Sequence, residues 1–118
     1  MAALRPLTIA VLIKQVPDMN AARVDRTSGR VVTSSQLGIS SYDRYAIEAA
    51  LRLKEAAGGG EIVVVALGPA TVKDAISRAL AMGADRGIHL ETADPNEADT
   101  LAVATALAKA LAPLNADL

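Results

Sequence analysis

Short apolar runs alternate with longer amphipathic segments along this chain. Three of the runs are rich in branched aliphatic residues and are bounded by polar residues, Gly or Pro, which predicts buried strands. These strands are predicted at 7–13, 61–67 and 86–91. Three other segments repeat apolar residues every three or four positions, which predicts helices at 43–57, 70–82 and 94–111. Such alternation favours right-handed crossovers and a parallel sheet with helices on its faces, an α/β fold.

The first two predicted helices have recognisable ends and inward faces. Ser40 or Ser41 is expected to cap the first helix, because a serine hydroxyl accepts from the free amides of the first turn, and Gly58–Gly60 is expected to end it. Its predicted inward residues are Ala46, Ile47, Ala50, Leu51 and Leu53. The second helix is expected to stop at Gly83. Its predicted inward residues are Val72, Ile76, Ala79 and Leu80.

The third predicted helix has the strongest start signal. Asp94 is predicted to cap it, Pro95 suits the first helical position, and Glu97 completes a capping box. Pro113 is expected to end the helix. The predicted inward residues are Leu101, Ala104, Leu107, Ala108 and Leu111.

The segment between the first strand and the first helix departs from simple alternation. Residues 14–18 end the strand, with Pro17 as the breaker. Ser28-Gly29 lies between two stretches with some β character, so 23–33 is predicted to form a small hairpin. Residues 34–41 are small and polar, which predicts a loop.

Composition narrows the possible functions. The net charge is −1, and basic residues are not interleaved with aromatic ones, so nucleic-acid binding has little support. The chain has no Cys and a single His, which excludes a disulfide framework and disfavours a metal site. His89 is therefore interpreted as structural. The apolar stretch near the N-terminus is too short to span a membrane, so no direct membrane insertion is expected, and the expected location is the cytoplasm or an organelle matrix.

Ligands of open parallel sheets lie beyond the carboxyl ends of the strands. This edge comprises three segments of the predicted fold: 13–18, 40–43 and 67–69. Gly68-Pro69 is compatible with an anion at the following helix N-terminus and equally with an ordinary strand-to-helix turn. Lys14 and Asp18 are compatible with a ligand or with a solvated strand end. Gly58–Gly60 lies at the opposite edge and is interpreted as a helix stop.

Two familiar kinds of site are missing from the sequence. A Gly-x-Gly-x-x-Gly fingerprint does not follow the first strand, and a Walker A sequence is absent, which disfavours a standard Rossmann NAD site or a P-loop. The sequence also offers no nucleophile paired with a base. Catalytic machinery of the chain's own is therefore not expected.

Four ordered blocks resemble the beta subunit of electron-transfer flavoproteins, including the FixA proteins. The blocks are VLIKQVPD (Val11–Asp18), VDRTSGRVV (Val24–Val32), DRYAIEAALRLKE (Asp43–Glu55) and ALGPATVKDAISRALAMGADRGIHLE (Ala66–Glu91). The resemblance implies a three-layer α/β/α fold with a Rossmann-like, adenine-nucleotide-hydrolase-like sheet. It also implies an electron carrier subunit without catalytic residues, which pairs with an alpha subunit that holds most of a redox-active FAD. Such dimers pass electrons from flavin dehydrogenases to a quinone reductase or a similar acceptor.

The resemblance further implies an AMP, or a second FAD, in the beta subunit. The nucleotide contacts that it carries over to this sequence are Leu12, Ser40, Ser41, Tyr42, Asp43 and Leu67. Many relatives have Asn-Pro-(aromatic) where this chain has Ser40-Ser41-Tyr42, so an Asn contact would be lost here. Leu12 and Leu67 would contribute backbone or apolar contacts.

Members of the family continue well beyond the length of this chain. The segment that holds the nucleotide phosphate and the arm that recognises dehydrogenases are expected after Leu118. Residues 1–118 are therefore interpreted as the N-terminal part of the nucleotide-binding domain, stopping where the next strand should begin and C-terminally incomplete.

Two other hypotheses belong to different functional classes. A stand-alone nucleotide-binding regulatory domain, resembling the universal stress proteins, would need a Gly-rich phosphate loop late in the chain, which the sequence lacks. A structural remnant without a ligand would expose apolar surface and an unfilled sheet edge. It would then be marginally stable or would associate with a partner.

Overall fold

The structure, a computed structural model, describes residues 5–17, 23–32, 37–92 and 99–118. Its strands are β1 (Leu7–Ile13), β2 (Gln15–Pro17), β3 (Arg23–Val24), β4 (Val31–Val32), β5 (Leu37–Ile39), β6 (Gly60–Gly68) and β7 (Arg86–Glu91). Its helices are α1 (Ser41–Ala56), α2 (Val72–Met82) and α3 (Thr100–Leu111), and a short 3₁₀ helix follows (Ala112–Leu114).

The main sheet is parallel and has the order β1–β6–β7. Leu7 pairs with Gly60 at the start of β1, and Val63 pairs with Arg86 at the start of β7. The first and third predicted strands are confirmed at their predicted bounds, and β6 is one residue longer at each end. The predicted α/β class is confirmed.

The side chains of β1 and β6 alternate between two covered faces. On one face, alternate residues of both strands join α1 and α2 in a single apolar cluster. The cluster includes Ile9, Val11, Ile13, Ile47, Ala50, Ile62, Val64, Ala66, Val72, Ala75, Ile76 and Ala79. On the other face, Val63 and Val65 are fully buried and α3 lies against β6 and β7. Helices on both faces give the three predicted layers, and each fully buried Val or Ile contributes roughly 1.5–3 kcal/mol.

Two antiparallel pairs lie outside the main sheet. β3 and β4 form the predicted hairpin, with Arg23 opposite Val32. β2 and β5 also pair, with Gln15 opposite Ile39 and Pro17 opposite Leu37. The prediction of a continuous loop at 34–41 is therefore wrong at Leu37–Ile39, and residues 33–36 lie outside the described ranges. A three-residue strand is too short to show the alternation of polar and apolar residues that predicts a strand. A Pro at the end of an edge strand also does not interrupt the pairing.

The starts of two helices differ from prediction. Ser40 precedes α1, but its side chain makes no capping hydrogen bond. α3 begins at Thr100, and the Asp99 carboxylate accepts from the Ala102 amide at 2.7 Å. Because the backbone of Asp99 is extended, with ψ of 170°, a continuous helix over 94–111 is wrong. The predicted cap at Asp94–Glu97 lies outside the described residues.

The inward faces of α1 and α2 are partly as predicted. Ile47 and Ala50 are buried in α1, whereas Ala46 and Leu53 are exposed. In α2 the exposed member of the predicted face is Leu80. Val72, Ile76 and Ala79 are buried as predicted, and Ala75 joins them. Gly83 ends α2 as expected, with φ of 126°.

The predicted face of α3 is wrong in most positions. Leu101 is 75% exposed, and Ala104 and Ala108 are exposed as well. Leu107 and Leu111 are half-buried, and so are Val103, Ala106 and Ala110. Nearly every residue of α3 is apolar, so its periodicity does not single out one face.

Residues 117–118 run beside the free edge of β1. The Asp117 amide donates to the Thr8 carbonyl at 2.8 Å, and the Ala10 amide donates to the Leu118 carbonyl at 2.8 Å. The Asp117 carboxylate accepts from the Thr8 amide at 2.9 Å and from Arg5 at 2.7 Å. The last two residues therefore bond to the edge of β1 that does not pair with β6.

Candidate functional site

A cavity of about 280 Å³ lies at the carboxyl ends of the neighbouring strands β1 and β6. Its walls come from both strand ends, the start of α1 and the inner face of α3. The lining residues are Leu12, Ile13, Lys14, Asp43, Val65, Leu67, Val103 and Leu107. This is the place where open parallel sheets bind ligands.

Three of the six predicted nucleotide contacts meet in this cavity. Leu12, Asp43 and Leu67 all line it, although they come from three separate segments of the chain. Ser40, Ser41 and Tyr42 immediately precede Asp43 but are not among the lining residues. Tyr42 is 82% exposed.

Asp43 fixes the start of α1 to the end of β1. Its Oδ2 accepts from the Lys14 amide at 2.7 Å, and the Lys14 carbonyl accepts from the Ser40 amide at 3.3 Å. A carboxylate in the first turn is also favoured by the helix dipole. The anchoring role of Asp43 was missed by sequence reasoning, because it depends on a contact between residues 29 positions apart.

The turn after β6 explains Gly68 without a ligand. A Cβ at this position would lie 2.5 Å from Val72 Cγ2, so a side chain would collide with the start of α2. The first amides of α2 are already engaged: Val72 donates to Pro69, Lys73 to Ala70 and Asp74 to Thr71, at 3.0–3.2 Å. The structure therefore favours the ordinary-turn interpretation of Gly68-Pro69 over an anion site.

Other candidates from the sequence have local explanations or lie outside the described ranges. The Nε2 atom of His89 lies 2.9 Å from the Gly68 carbonyl oxygen, which agrees with the structural interpretation of this side chain. Within the described residues, no group of three His, Cys, Asp or Glu side chains is placed to hold a metal. Asp18 falls in the 18–22 gap in the described chain.

Three walls of the cavity come from residues that the sequence analysis did not assign to a site. Val65 is fully buried in β6, and Val103 and Leu107 are half-buried in α3. Their apolar character is visible in the sequence, but it is equally expected of core residues. Only the packing of α3 against the sheet distinguishes them.

The cavity combines apolar walls with two charged groups at its mouth. Leu12, Val65 and Leu67 offer flat aliphatic surface, Asp43 offers a carboxylate, and Lys14 is an exposed ammonium. Ligand cavities usually measure roughly 300–1,000 Å³. At about 280 Å³ this cavity lies at the small end of that range.

The sequence model of the family described as "Electron transfer flavoprotein domain" matches residues 28–118. The chain belongs to the electron transfer flavoprotein family. Two curated relatives, each called electron transfer flavoprotein subunit beta, are 38% identical in Thermoanaerobacterium thermosaccharolyticum and 42% identical in Syntrophomonas wolfei, both over 113 residues. Protein FixA of Azorhizobium caulinodans is 39% identical over 104 residues. The resemblance to beta subunits and FixA proteins is confirmed.

The alignments cover most of this electron transfer flavoprotein chain but less than half of each relative. The two beta subunits align over 95% of the chain and over 43% and 44% of their own lengths. The FixA protein aligns over 87% of the chain and 37% of its own length.

In the parts of this electron transfer flavoprotein chain that the structure describes, none of the helices combines the length and the apolar character needed to cross a membrane.

Proposed function

We propose that the chain is part of the beta subunit of a heterodimeric electron-transfer flavoprotein and forms the adenosine side of its nucleotide site. The supporting observation is the convergence of Leu12, Asp43 and Leu67 on one cavity, in a chain 38–42% identical to curated beta subunits. The nucleotide is AMP or a second FAD. In this proposal residues 1–118 are the N-terminal part of the nucleotide-binding domain.

The lining residues are proposed to bind the nucleotide through apolar contacts and through charged groups. Leu12 and Leu67 form apolar walls for the flat base. Asp43 has one carboxylate oxygen engaged by the Lys14 amide, and its other oxygen is proposed to accept from a ribose hydroxyl or the adenine amino group. The Lys14 ammonium is exposed at the mouth, where it attracts a phosphate. Ser40, Ser41 and Tyr42 are proposed to contact the nucleotide from the start of α1.

The redox chemistry belongs to the partner subunit in this proposal. FAD, held mainly by an alpha subunit, takes up electrons from flavin dehydrogenases and releases them to a quinone reductase or a similar acceptor. This chain binds and orients its own nucleotide and gives the alpha subunit a docking surface. It therefore serves as an electron carrier subunit without catalytic residues, in the cytoplasm or an organelle matrix.

Co-expression with an alpha subunit tests the assignment. The expected result is a stable complex that carries flavin absorbance and releases AMP, or an additional equivalent of FAD, on denaturation and chromatography. Failure of the beta subunit containing this chain to bind any alpha subunit would overturn the proposal. Micromolar ATP binding without an alpha subunit would instead favour the stand-alone regulatory domain.

A matched pair of variants tests the position of the nucleotide. Leu67→Arg introduces a long cation into the cavity wall and is expected to remove the AMP or second FAD while the alpha subunit stays bound. Leu101→Arg makes the same change at a side chain that is 75% exposed on α3 and should leave the nucleotide content unchanged. Full nucleotide content in Leu67→Arg would exclude this cavity.

A further inference from the structure

Gln15 and Thr71 are joined by two reciprocal hydrogen bonds. Gln15 Nε2 donates to the Thr71 carbonyl at 2.9 Å, and Thr71 Oγ1 donates to Gln15 Oε1 at 3.0 Å. The two bonds fix the orientation of the Gln15 side-chain amide. Because the backbone carbonyl oxygen of Thr71 can only accept, the Nε2 atom of Gln15 must face it. The two residues are 56 positions apart, so the pair is a tertiary link.

This link connects the two strand ends that form the cavity. Gln15 is the first residue of β2 and follows Lys14, which lies at the cavity mouth. Thr71 immediately precedes α2 and lies four positions after Leu67, a cavity wall. Backbone pairing holds β1 and β6 together as far as Ile13 and Ala66, and the Gln15–Thr71 link joins the two segments that follow.

The Thr71 hydroxyl has no role in capping α2. Thr71 occupies the N-cap position, but its side chain makes no capping hydrogen bond. The amides of the first turn are satisfied by the carbonyls of residues 69–71 instead. The hydroxyl is consequently committed to Gln15, although a Thr at this position would ordinarily be read as a cap.

Neither residue lines the cavity. Thr71 immediately precedes α2, which packs on the face of the sheet shared with α1, whereas Val103 and Leu107 of the cavity wall come from α3 on the opposite face. The backbone of residues 14–15 connects the link to the cavity. The Lys14 amide donates to Asp43, and the side chain of Gln15, the next residue, bonds to Thr71. One short segment therefore ties the starts of both α1 and α2.

We propose that Gln15 and Thr71 are positioning residues that hold Lys14, Asp43 and Leu67 at the spacing needed to bind the nucleotide, without touching it themselves. The inference rests on the proposed function, because it concerns the same cavity. The two neutral hydrogen bonds favour nucleotide binding by keeping the site in its binding geometry before the ligand arrives. Their net free energy corresponds to about three- to tenfold in affinity.

The test measures AMP affinity in the nucleotide-depleted heterodimer by calorimetry. Gln15→Ala and Thr71→Val are each expected to weaken AMP binding by about three- to tenfold. The double variant is expected to be no weaker than the poorer single variant, because both changes break one link. Thr71→Ser keeps the hydroxyl and is expected to restore wild-type affinity.

A destabilised control separates positioning from general stability. Asp85→Ala removes hydrogen bonds at the amino ends of β6 and β7, away from the cavity, and should lower the unfolding temperature without changing AMP affinity. If Gln15→Ala and Thr71→Val behave like Asp85→Ala, the link is merely structural and the inference is overturned. Additive losses in the double variant would also overturn it.

Failure of the proposed function has a different signature. A wild-type heterodimer that binds neither AMP nor FAD in this subunit would overturn both proposals. Wild-type binding that Leu67→Arg abolishes, together with unchanged affinity in Gln15→Ala and Thr71→Val, would overturn the positioning role alone.

Discussion

Ile62 and Asp85 hold each other by two hydrogen bonds at the amino edge of the sheet. The Ile62 amide donates to Asp85 Oδ2 at 2.7 Å, and the Asp85 amide donates to the Ile62 carbonyl at 2.9 Å. Lys54 Nζ lies 3.1 Å from the same carboxylate oxygen. One side chain thus joins α1, β6 and the start of β7, at the end of the sheet opposite the candidate site.

Removing this carboxylate is expected to destabilise the fold. Asp85→Ala leaves the Ile62 amide without its acceptor and Lys54 without its counter-ion. Because the Asp85 side chain is 39% exposed, solvent screens part of the effect, and we expect a loss of about 1–2 kcal/mol. Urea unfolding measures it. Glu55→Ala, at an exposed position on α1, is the control and should stay within about 0.5 kcal/mol of wild type.

Acid is expected to weaken the fold through the same residue. The Ile62 amide, assisted by Lys54, lowers the pKa of Asp85 despite its partial desolvation. A carboxylate with a lower pKa in the folded chain stabilises the fold above its unfolded pKa of about 3.9, and this stabilisation is lost as pH falls through the folded pKa. The urea concentration at the unfolding midpoint, measured at pH 7, 4 and 3, should therefore decrease once the pH drops below about 4. The decrease should be smaller in Asp85→Ala than in wild type.

Two other carboxylates contribute to this acid sensitivity. The pKa of Asp25 is lowered by the Thr27 amide and the Ser28 hydroxyl, and the pKa of Asp117 is lowered by hydrogen bonds from Arg5 and the Thr8 amide. Asp85→Ala should therefore reduce the loss of stability in acid without abolishing it. An identical midpoint shift between pH 7 and pH 3 in wild type and Asp85→Ala would contradict the role assigned to Asp85.

The central strand β6 could be predicted from the sequence because it is buried on both faces. Ile62–Ala66 form a continuous aliphatic run, and all five are almost completely buried. The pairing of β2 with β5 could not be predicted in the same way. Its three-residue strands depend on the partner strand for their conformation, so the local sequence carries little of the information.

The candidate site was predictable at its strand ends but not in its connections. The rule that ligands lie beyond the carboxyl ends of parallel strands selected 13–18, 40–43 and 67–69, and the family resemblance supplied Leu12, Asp43 and Leu67 as individual contacts. The Lys14–Asp43 and Gln15–Thr71 hydrogen bonds join residues 29 and 56 positions apart, and no local pattern specifies them. Ser40 shows the opposite case, since its local cap signal is real but the capping bond does not form.

Gly87 is expected to be intolerant of a side chain. A Cβ at this position would collide with Ile76 Cγ2 in α2 and lie 3.4 Å from Val64 Cγ2 in β6. Gly87→Ala should therefore destabilise the fold by about 1–3 kcal/mol through overpacking. Gly38→Ala is the matched control, because its Cβ would make an ordinary 3.7 Å contact with the end of the Arg78 side chain. Equal urea midpoints for the two variants would contradict this packing.

Two leucines of α3 that the sequence does not distinguish should differ in their contribution to stability. Leu107 is half-buried against the sheet, so Leu107→Ala should cost about 1–2 kcal/mol. Leu101 is 75% exposed, so Leu101→Ala should change the free energy of unfolding by less than about 0.5 kcal/mol. Both substitutions remove the same atoms from the same helix, so helix propensity affects them alike. Equal destabilisation of the two variants in urea would contradict this packing, because it is the result expected if α3 presented its predicted face, with both leucines inward.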